Sequence, residues 1–187
     1  MDLLKTLVKV GEINNLTDAR FCAGMGVQML GFAMAHKSRK SLTKEEYIAI
    51  TQWLEGPKFI GEFEEESDDF ILGLNKELNF DLIQTSDVNQ AKRLADLGLK
   101  VILSVSKVES IPPNLSYVII EETFEGDYQY LANYAELLVA KNITISSLDG
   151  LLVDENVSGI HLKGSDEIRP GYKDLDELAD ILEALEA

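Results

Sequence analysis

The sequence of 187 residues contains few of the residues that build disulfide-stabilised or metal-stabilised proteins. Cys22 is the only cysteine, so the chain cannot form an internal disulfide, which is typical of a reducing cytosol. One cysteine and two histidines, His36 and His161, are too few for a zinc site of the usual kind. We therefore expect no metal, and nothing in the composition calls for a cofactor.

Long apolar runs are absent as well. No segment approaches the roughly 18 consecutive apolar residues that a membrane-spanning helix needs. The first residues, Met1-Asp2-Leu3-Leu4-Lys5, lack the basic and then apolar layout of a signal peptide. We therefore expect a cytoplasmic protein with no membrane partner.

Positive charge is scarce, with 17 Lys and Arg against 33 Asp and Glu and a formal net charge of -16. Such a chain repels phosphate backbones, so we expect no nucleic-acid partner. Anionic small molecules are also discouraged at long range, although a local basic pocket can override this. The charge otherwise indicates only solubility.

Apolar segments of strand length alternate with amphipathic segments of helix length. The strand candidates are rich in Val, Ile and Leu and are bounded by Gly, Pro, Asn or Asp, as is typical of strands buried on both faces. Eight such units predict parallel strands joined by crossovers and hence a (β/α)8 barrel. The predicted strands are Leu7 to Gly11, Met29 to Met34, Lys58 to Phe63, Leu82 to Thr85, Val101 to Val105, Tyr117 to Glu121, Ile143 to Ser147 and Gly159 to Lys163.

No linker or domain boundary interrupts this pattern, so we predict a compact single α/β domain over residues 1–187. Thr43, Asp87 and Asp174 are predicted helix caps, and Pro112-Pro113 predicts an irregular fifth connection. The alternative is a doubly wound open sheet, for which about six strands suffice. The predicted helices are Thr17 to Ala23, Thr43 to Leu54, Ser67 to Leu78, Asp87 to Leu97, Asp127 to Ala140 and Leu175 to Leu185.

Ungapped motifs near both ends of the chain, with a shorter match in the middle, resemble the phosphoribosylanthranilate isomerase family of tryptophan biosynthesis. The resemblance implies a (β/α)8 barrel and an Amadori rearrangement of a phosphorylated aminosugar. That reaction needs a general acid, a general base and a phosphate cradle after strands seven and eight. The motifs are Val8-Lys9-Val10, Ile13, Asn15-Leu16, Asp18-Ala19-Arg20, Leu30-Gly31-Phe32, Ala35, Lys37-Ser38, Arg39-Lys40, Asp81-Leu82-Ile83-Gln84, and Gly159-Ile160 through Glu167 to Pro170-Gly171-Tyr172-Lys173-Asp174.

The resemblance places the general base of the family, a cysteine at the end of strand one, at Gly11, which has no group that transfers protons. Glu12 follows where the family has glycine. Glu12 either leans into the barrel mouth and replaces the base, or faces away as a solvated carboxylate, because successive strand residues point to opposite sides. Cys22 falls in the first helix and is predicted to be a small buried hydrophobe.

The general acid of the family, an aspartate at the end of strand six, corresponds to Glu121. Glu122 and Glu125 are close in sequence, and crowded carboxylates favour the protonated form that an acid catalyst needs. The alternative is an ordinary charged loop.

The resemblance also implies ligand-binding residues near the first strands. The arginine that binds anthranilate in the family corresponds to Lys40, and Arg39 stands where the family has proline. Lysine keeps the positive charge but lacks the planar fork that recognises carboxylates. Lys9 and Gln84, which belong to the matched strands one and four, complete this group, and the alternative for the basic pair is a solvated loop.

For the phosphate cradle, the Gly-Gly pair of the family after strand seven corresponds to Ser146-Ser147. The Ser-Gly pair after strand eight corresponds to Gly164-Ser165. Each is followed closely by an aspartate, which would repel an anion, and Lys163 partly offsets this charge. His161 replaces a strand-eight aspartate and is either a barrel-lining residue or a pH-sensitive ligand contact.

An acidic run from Glu62 to Asp69 follows strand three, at the end of the barrel where active sites lie. Two like charges about 6 Å apart repel by roughly 1–3 kcal/mol near a surface. The run is either the solvated start of a helix or part of a site for an amine, a metal cation or a basic partner.

Three hypotheses follow. The favoured one is a diverged, isomerase-like barrel that has lost or altered the family activity and binds a small ligand, of which a sugar phosphate is one candidate. The second is an active isomerase with Glu121 as acid and Glu12 as base. The third is a protein-interaction module that uses the acidic mouth. The sequence leaves monomer and homodimer open.

Overall fold

Eight parallel strands pair in chain order and close into a barrel. The computed structural model describes residues 3–35, 40–107 and 110–164, the backbone of 167–169 and 172–173, and residues 175–187. The closed sheet confirms the predicted (β/α)8 barrel and excludes the open sheet. The strands are β1 Leu7–Gly11, β2 Met29–Ala33, β3 Lys58–Glu62, β4 Leu82–Thr85, β5 Val101–Lys107, β6 Tyr117–Glu125, β7 Glu136–Val139 and β8 Gly159–Lys163.

Helices cover the outside of the barrel, and none of those in the described part of the chain is long and apolar enough to cross a membrane. Thr43 and Asp87 cap two of them as predicted, accepting hydrogen bonds from the backbone N–H groups of Glu46 and Gln90. Asp174 lies outside the described residues. The helices are α1 Leu16–Gly24, α2 Lys44–Thr51, α3 Asp68–Leu78, α4 Val88–Asp96, the 3-10 helix Gln129–Asn133, α5 Ile145–Leu152 and α6 Asp176–Ala184, with a small antiparallel pair, β9 Glu167–Arg169 and β10 Tyr172–Lys173, before α6.

The seventh unit differs from the prediction. The helix predicted from Asp127 to Ala140 is wrong, because a short 3-10 helix and β7 occupy that segment. The strand predicted from Ile143 to Ser147 is also wrong, because α5 begins there. Its β-branched residues favour a strand, but the Ser147 hydroxyl accepts a hydrogen bond from the Thr144 N–H (2.9 Å) and satisfies the helix N-terminus.

Two layers of side chains fill the barrel. The lower layer is a fully apolar cluster from six strands. Two residues further along four of these strands, a polar side chain faces the same interior, because side chains alternate between faces. This upper polar layer lies at the carboxyl ends of the strands. The lower layer is Met29, Ile60, Leu82, Ile102, Ile119 and Leu138, and the upper layer contains Glu62, Gln84, Ser104 and Glu121.

Ile119→Ala should lower the free energy of unfolding by about 2–5 kcal/mol, because it opens a cavity in the fully buried lower layer. Ile145→Ala on α5, where the side chain is 57% exposed, should change it by less than about 0.5 kcal/mol. Equilibrium denaturation in urea measures both variants. Equal losses would contradict the assignment of Ile119 to the core.

Candidate functional site

A cavity of about 430 Å³ opens at the carboxyl ends of the barrel strands, and we call it the mouth cavity. Its size is within the range of small-molecule sites, and barrel enzymes place their active sites at this end. Among the described residues that line it, five are carboxylates and only Lys163 is a cation. The lining residues are Glu12, Ala33, Ala35, Glu62, Phe63, Glu64, Glu65, Gln84, Thr85, Ser86, Ser104, Glu121, His161 and Lys163.

A buried ion pair lies beneath the mouth cavity, and its carboxylate belongs to the cavity lining. Lys9 is completely buried, and its Nζ donates to Glu62 Oε1 at 2.5 Å. The other oxygen of this carboxylate, Glu62 Oε2, accepts a hydrogen bond from the backbone N–H of Glu12 at 3.0 Å. A buried ammonium is costly unless it is paired and hydrogen-bonded. Glu62 on β3 therefore acts as the counter-ion of Lys9 on β1.

Two glycines make room for this carboxylate. A Cβ atom built on Gly11 would lie 2.7 Å from Glu62 Oε1 and 2.8 Å from Cε1 of His161. A Cβ atom on Gly31 of β2 would overlap the Glu62 carboxylate outright. Glu62 thus lies against Gly11, the position that the resemblance assigns to the catalytic cysteine. Sequence reasoning placed Glu62 only in the acidic run, although the alternation from Ile60 to Glu62 marks it as inward-facing.

Glu12 lines the mouth cavity because its backbone leaves the regular strand conformation. Its φ of 57° is in the left-handed region, which favours glycine. Its carboxylate accepts a hydrogen bond from Lys40 Nζ at 2.7 Å, and Lys163 Nζ lies 3.8 Å away. Lys40 also donates to the carbonyl oxygen of Gly164 at 3.1 Å. Glu12 and Lys40, which sequence reasoning treated separately, therefore form one contact across the mouth.

Glu121 faces the mouth cavity from β6, and its Oε2 lies 3.9 Å from Lys163 Nζ. The strand continues to Glu125, so Glu121 is inside it rather than at its end. Glu122, the next residue, lines a different cavity. Strand alternation therefore directs the two adjacent carboxylates to opposite faces of β6, and of the two only Glu121 lines the mouth cavity.

His161 lies inside the barrel on β8, beside Lys9 in register. Burial lowers the pKa of His161 well below its usual value, and the charges of Lys9 and Lys163 lower it further. The imidazole is therefore neutral at pH 7. Its Nδ1 and the Oε1 of Gln84 are buried atoms without a hydrogen-bond partner among the described residues. Gln84 Nε2 donates to Ser104 Oγ at 3.2 Å.

Ser146 and Ser147 lie in the first turn of α5, and they line neither the mouth cavity nor the second cavity described below. The Ser147 hydroxyl donates within the helix cap, to the carbonyl oxygens of Asn142 and Thr144. Their assignment to the phosphate cradle assumed that strand seven ends at Ser147, and that premise is wrong. The residues that directly follow β7 include Asn142, whose φ of 55° is again a left-handed conformation.

A second cavity of about 440 Å³ lies between the ends of β7 and β8 and helix α6. Glu122, Glu177 and Lys163 line it together with apolar side chains such as Leu178 and Ile181. Two carboxylates against one lysine do not form a basic cradle for an anion. Gly164 follows β8 directly, whereas Arg39 and Ser165 lie outside the described residues.

The acidic run divides into two parts. Glu62, Glu64 and Glu65 line the mouth cavity, whereas Asp68 is in the first turn of α3, where it pairs with Arg93 (Nε to Oδ2, 2.6 Å). The second part is therefore an ordinary helix start. In the described ranges, no group of three or more His, Cys, Asp or Glu side chains could hold a metal ion.

Comparison with known proteins gives one curated relative with sequence similarity. The N-(5'-phosphoribosyl)anthranilate isomerase of Aquifex aeolicus is 33% identical over 130 residues, which are 64% of this chain. The match spans 62% of that relative, less than two thirds of its length. No protein-family model matches the sequence.

Solved structures extend the similarity to the whole barrel. The phosphoribosyl anthranilate isomerase of Thermus thermophilus superposes with a TM-score of 0.76 at 21% identity, over 96% of this chain and 98% of that one. The enzyme of Thermotoga maritima gives 0.74 at 19% identity with the same coverage. A third, bound to reduced 1-(o-carboxyphenylamino)-1-deoxyribulose 5-phosphate, gives 0.75 at 18%, again over 96% of this chain and 98% of that one. At these identities the structures show the shared fold.

The stability of the protein should fall as the pH drops below about 6.5, because the unfolded chain then protonates a histidine that stays neutral when folded. The slope from His161 should reach about 1.4 kcal/mol per pH unit. Urea denaturation between about pH 7.5 and 5.5 measures this slope of the unfolding free energy. This pH range lies above the one in which ordinary carboxylates titrate.

His161→Gln should remove this slope, and His36→Gln, which changes the other histidine of the sequence, should retain it. An unchanged slope in His161→Gln would show that another group titrates.

Proposed function

We propose that this chain is a diverged member of the phosphoribosylanthranilate isomerase family that binds a small ligand in the mouth cavity. We further propose that it does not carry out the Amadori rearrangement with the residue pair of the family. The observation that carries the proposal is the carboxylate of Glu62 packed against Gly11.

Glu62 is poorly placed to replace the missing cysteine as a base. One oxygen binds the ammonium of Lys9, and the other accepts the N–H of Glu12. Both oxygens of the carboxylate are therefore already engaged by groups of the protein. Its role at this position is to neutralise a buried charge.

The position of the Lys9 counter-ion explains why residue 11 carries no side chain that could act as a base. By resemblance, His161 stands where the family has an aspartate on strand eight, directly beside Lys9 in register. A neutral histidine cannot neutralise Lys9, so the counter-ion comes from β3 instead. That carboxylate needs the space that a side chain at position 11 would take. The glycine at Gly11 and the charge at Glu62 are therefore two parts of one rearrangement.

The charge of the mouth cavity also disfavours the substrate of the family, which carries a phosphate and a carboxylate. Five carboxylates line the cavity, against Lys163 as the one cation among its described lining residues. Each like-charge pair about 6 Å apart costs roughly 1–3 kcal/mol. A concave cavity of this volume suits a small molecule better than a protein surface, which places the interaction-module hypothesis second.

The active-isomerase alternative assigns the base to Glu12 and the acid to Glu121. Glu12 is bonded to Lys40 and lies near Lys163, and Lys163 also lies near Glu121. Both carboxylates thus already have ammonium groups of the protein as neighbours, and a substrate would have to compete with these lysines for them. This arrangement weighs against the pair.

Purified protein should not consume N-(5'-phosphoribosyl)anthranilate, because the base position is empty and the mouth repels anions. The isomerase of Aquifex aeolicus serves as the positive control under the same conditions. Turnover by this chain, abolished by Glu121→Gln and retained in Glu122→Gln, would overturn the proposal and support the active isomerase.

Glu62→Val should lower the free energy of unfolding by about 3–5 kcal/mol, because it leaves Lys9 buried without its counter-ion. Adding His161→Asp should recover much of this loss, because it returns a carboxylate to the strand-eight position beside Lys9. Chemical denaturation measures both variants.

Glu64→Val is the matched control, since Glu64 is an exposed carboxylate from the same run and its loss should cost less than about 0.5 kcal/mol. Equal losses in Glu62→Val and Glu64→Val, or no recovery with His161→Asp, would contradict the relocated counter-ion.

A further inference from the structure

In the described part of the chain, carboxylates outnumber cations around the mouth cavity. Glu12 and Glu121 share Lys163, whose Nζ is 3.8 Å from Glu12 and 3.9 Å from Glu121, beyond hydrogen-bond distance in both cases. Lys9 and Lys40 contact two of the carboxylates from outside the lining. Among the residues that the structure describes, the five lining carboxylates outnumber these three lysines. The cavity therefore has a negative potential, which attracts positive ligands.

Buried hydrogen-bonding atoms add a second, independent observation. His161 is only 3% exposed and lines the mouth cavity, and its Nδ1 has no partner among the described residues. Gln84 Oε1, an acceptor on the neighbouring part of the lining, is also unpaired there. An unpaired buried polar atom costs about 1–3 kcal/mol. A ligand that supplies N–H donors would remove part of this cost.

The chemistry of the lining distinguishes between positive ligands. A metal ion needs several ligands converging on one point, and the described residues contain no such group. The carboxylates are instead distributed along the wall, with a glutamine and a serine between them. This arrangement suits a molecule that carries N–H donors on an organic frame.

We propose that the mouth cavity binds a small organic cation, a protonated amine or a guanidinium compound. The inference rests on the proposed function, because it names the ligand class of the same cavity. Glu121 and Glu12 hold the positive charge, and Gln84 Oε1 accepts an N–H near the floor. Lys163 competes with the ligand for the two carboxylates.

Isothermal titration of the whole 187-residue chain at physiological salt tests the proposal. The probes are agmatine, which carries an amine and a guanidinium group, and 1,4-diaminobutane. Their controls are 1,4-butanediol, a neutral analogue of similar shape, and ribose 5-phosphate. Saturable binding of an amine probe at one site, with no binding of the two controls, is the expected result.

Variants locate the site. Glu121→Gln should weaken agmatine binding about tenfold or more, and Lys163→Met should strengthen it, because the competing ammonium is gone. Glu122→Gln removes the same charge from the adjacent residue of β6, which lines the second cavity, so affinity should stay within about twofold. Equal weakening by Glu121→Gln and Glu122→Gln would overturn the proposal, since it would mean diffuse attraction to an acidic surface.

The remaining outcomes separate this inference from the proposed function. Binding of ribose 5-phosphate without the amines would overturn the cationic ligand while leaving a ligand site at the mouth. Binding of Mg²⁺ in competition with agmatine at equal affinity would replace the organic cation with a metal. Absence of binding by every probe, together with turnover of N-(5'-phosphoribosyl)anthranilate, would overturn both proposals.

Discussion

The buried ammonium of Lys9 imposes the condition on which the mouth of this barrel depends. A charge inside a barrel needs a counter-ion of good geometry, and here the carboxylate of Glu62 supplies it from two strands away. That position is open only because Gly11 and Gly31 have no side chains. The pair lies beneath the mouth cavity and links β1, β2 and β3 at their carboxyl ends.

Much of the fold could be predicted from local sequence, because buried parallel strands read as short apolar runs and helix caps use a few polar residues. Thr43 and Asp87 show this for the caps. The seventh strand and the helix that follows it could not be predicted in this way. The strand, Glu136–Val139, has only four residues and follows no full helix, while the β-branched residues after it favour a strand where α5 begins.

The site was less accessible to sequence reasoning than the fold. Alternation along the strands identifies Gln84 and Glu121 as inward-facing, and both line the mouth cavity. The role of Glu62 depends on contacts with residues 51 and 31 positions earlier in the chain, at Gly11 and Gly31. The contact between the counter-ion Glu62 and the glycine at position 11 exists only in the folded barrel. No pattern of neighbouring residues in the sequence could therefore predict it.

The two glycines around Glu62 also constrain what position 11 can carry. Gly31 belongs to the motif Leu30-Gly31-Phe32 that resembles the isomerases, whereas Gly11 stands where the resemblance places a cysteine. A side chain at position 11 would meet the Glu62 carboxylate 2.7 Å from its Cβ. Restoring a cysteine there therefore requires that the Glu62 carboxylate move, and a moved carboxylate leaves the buried ammonium of Lys9 in need of another counter-ion.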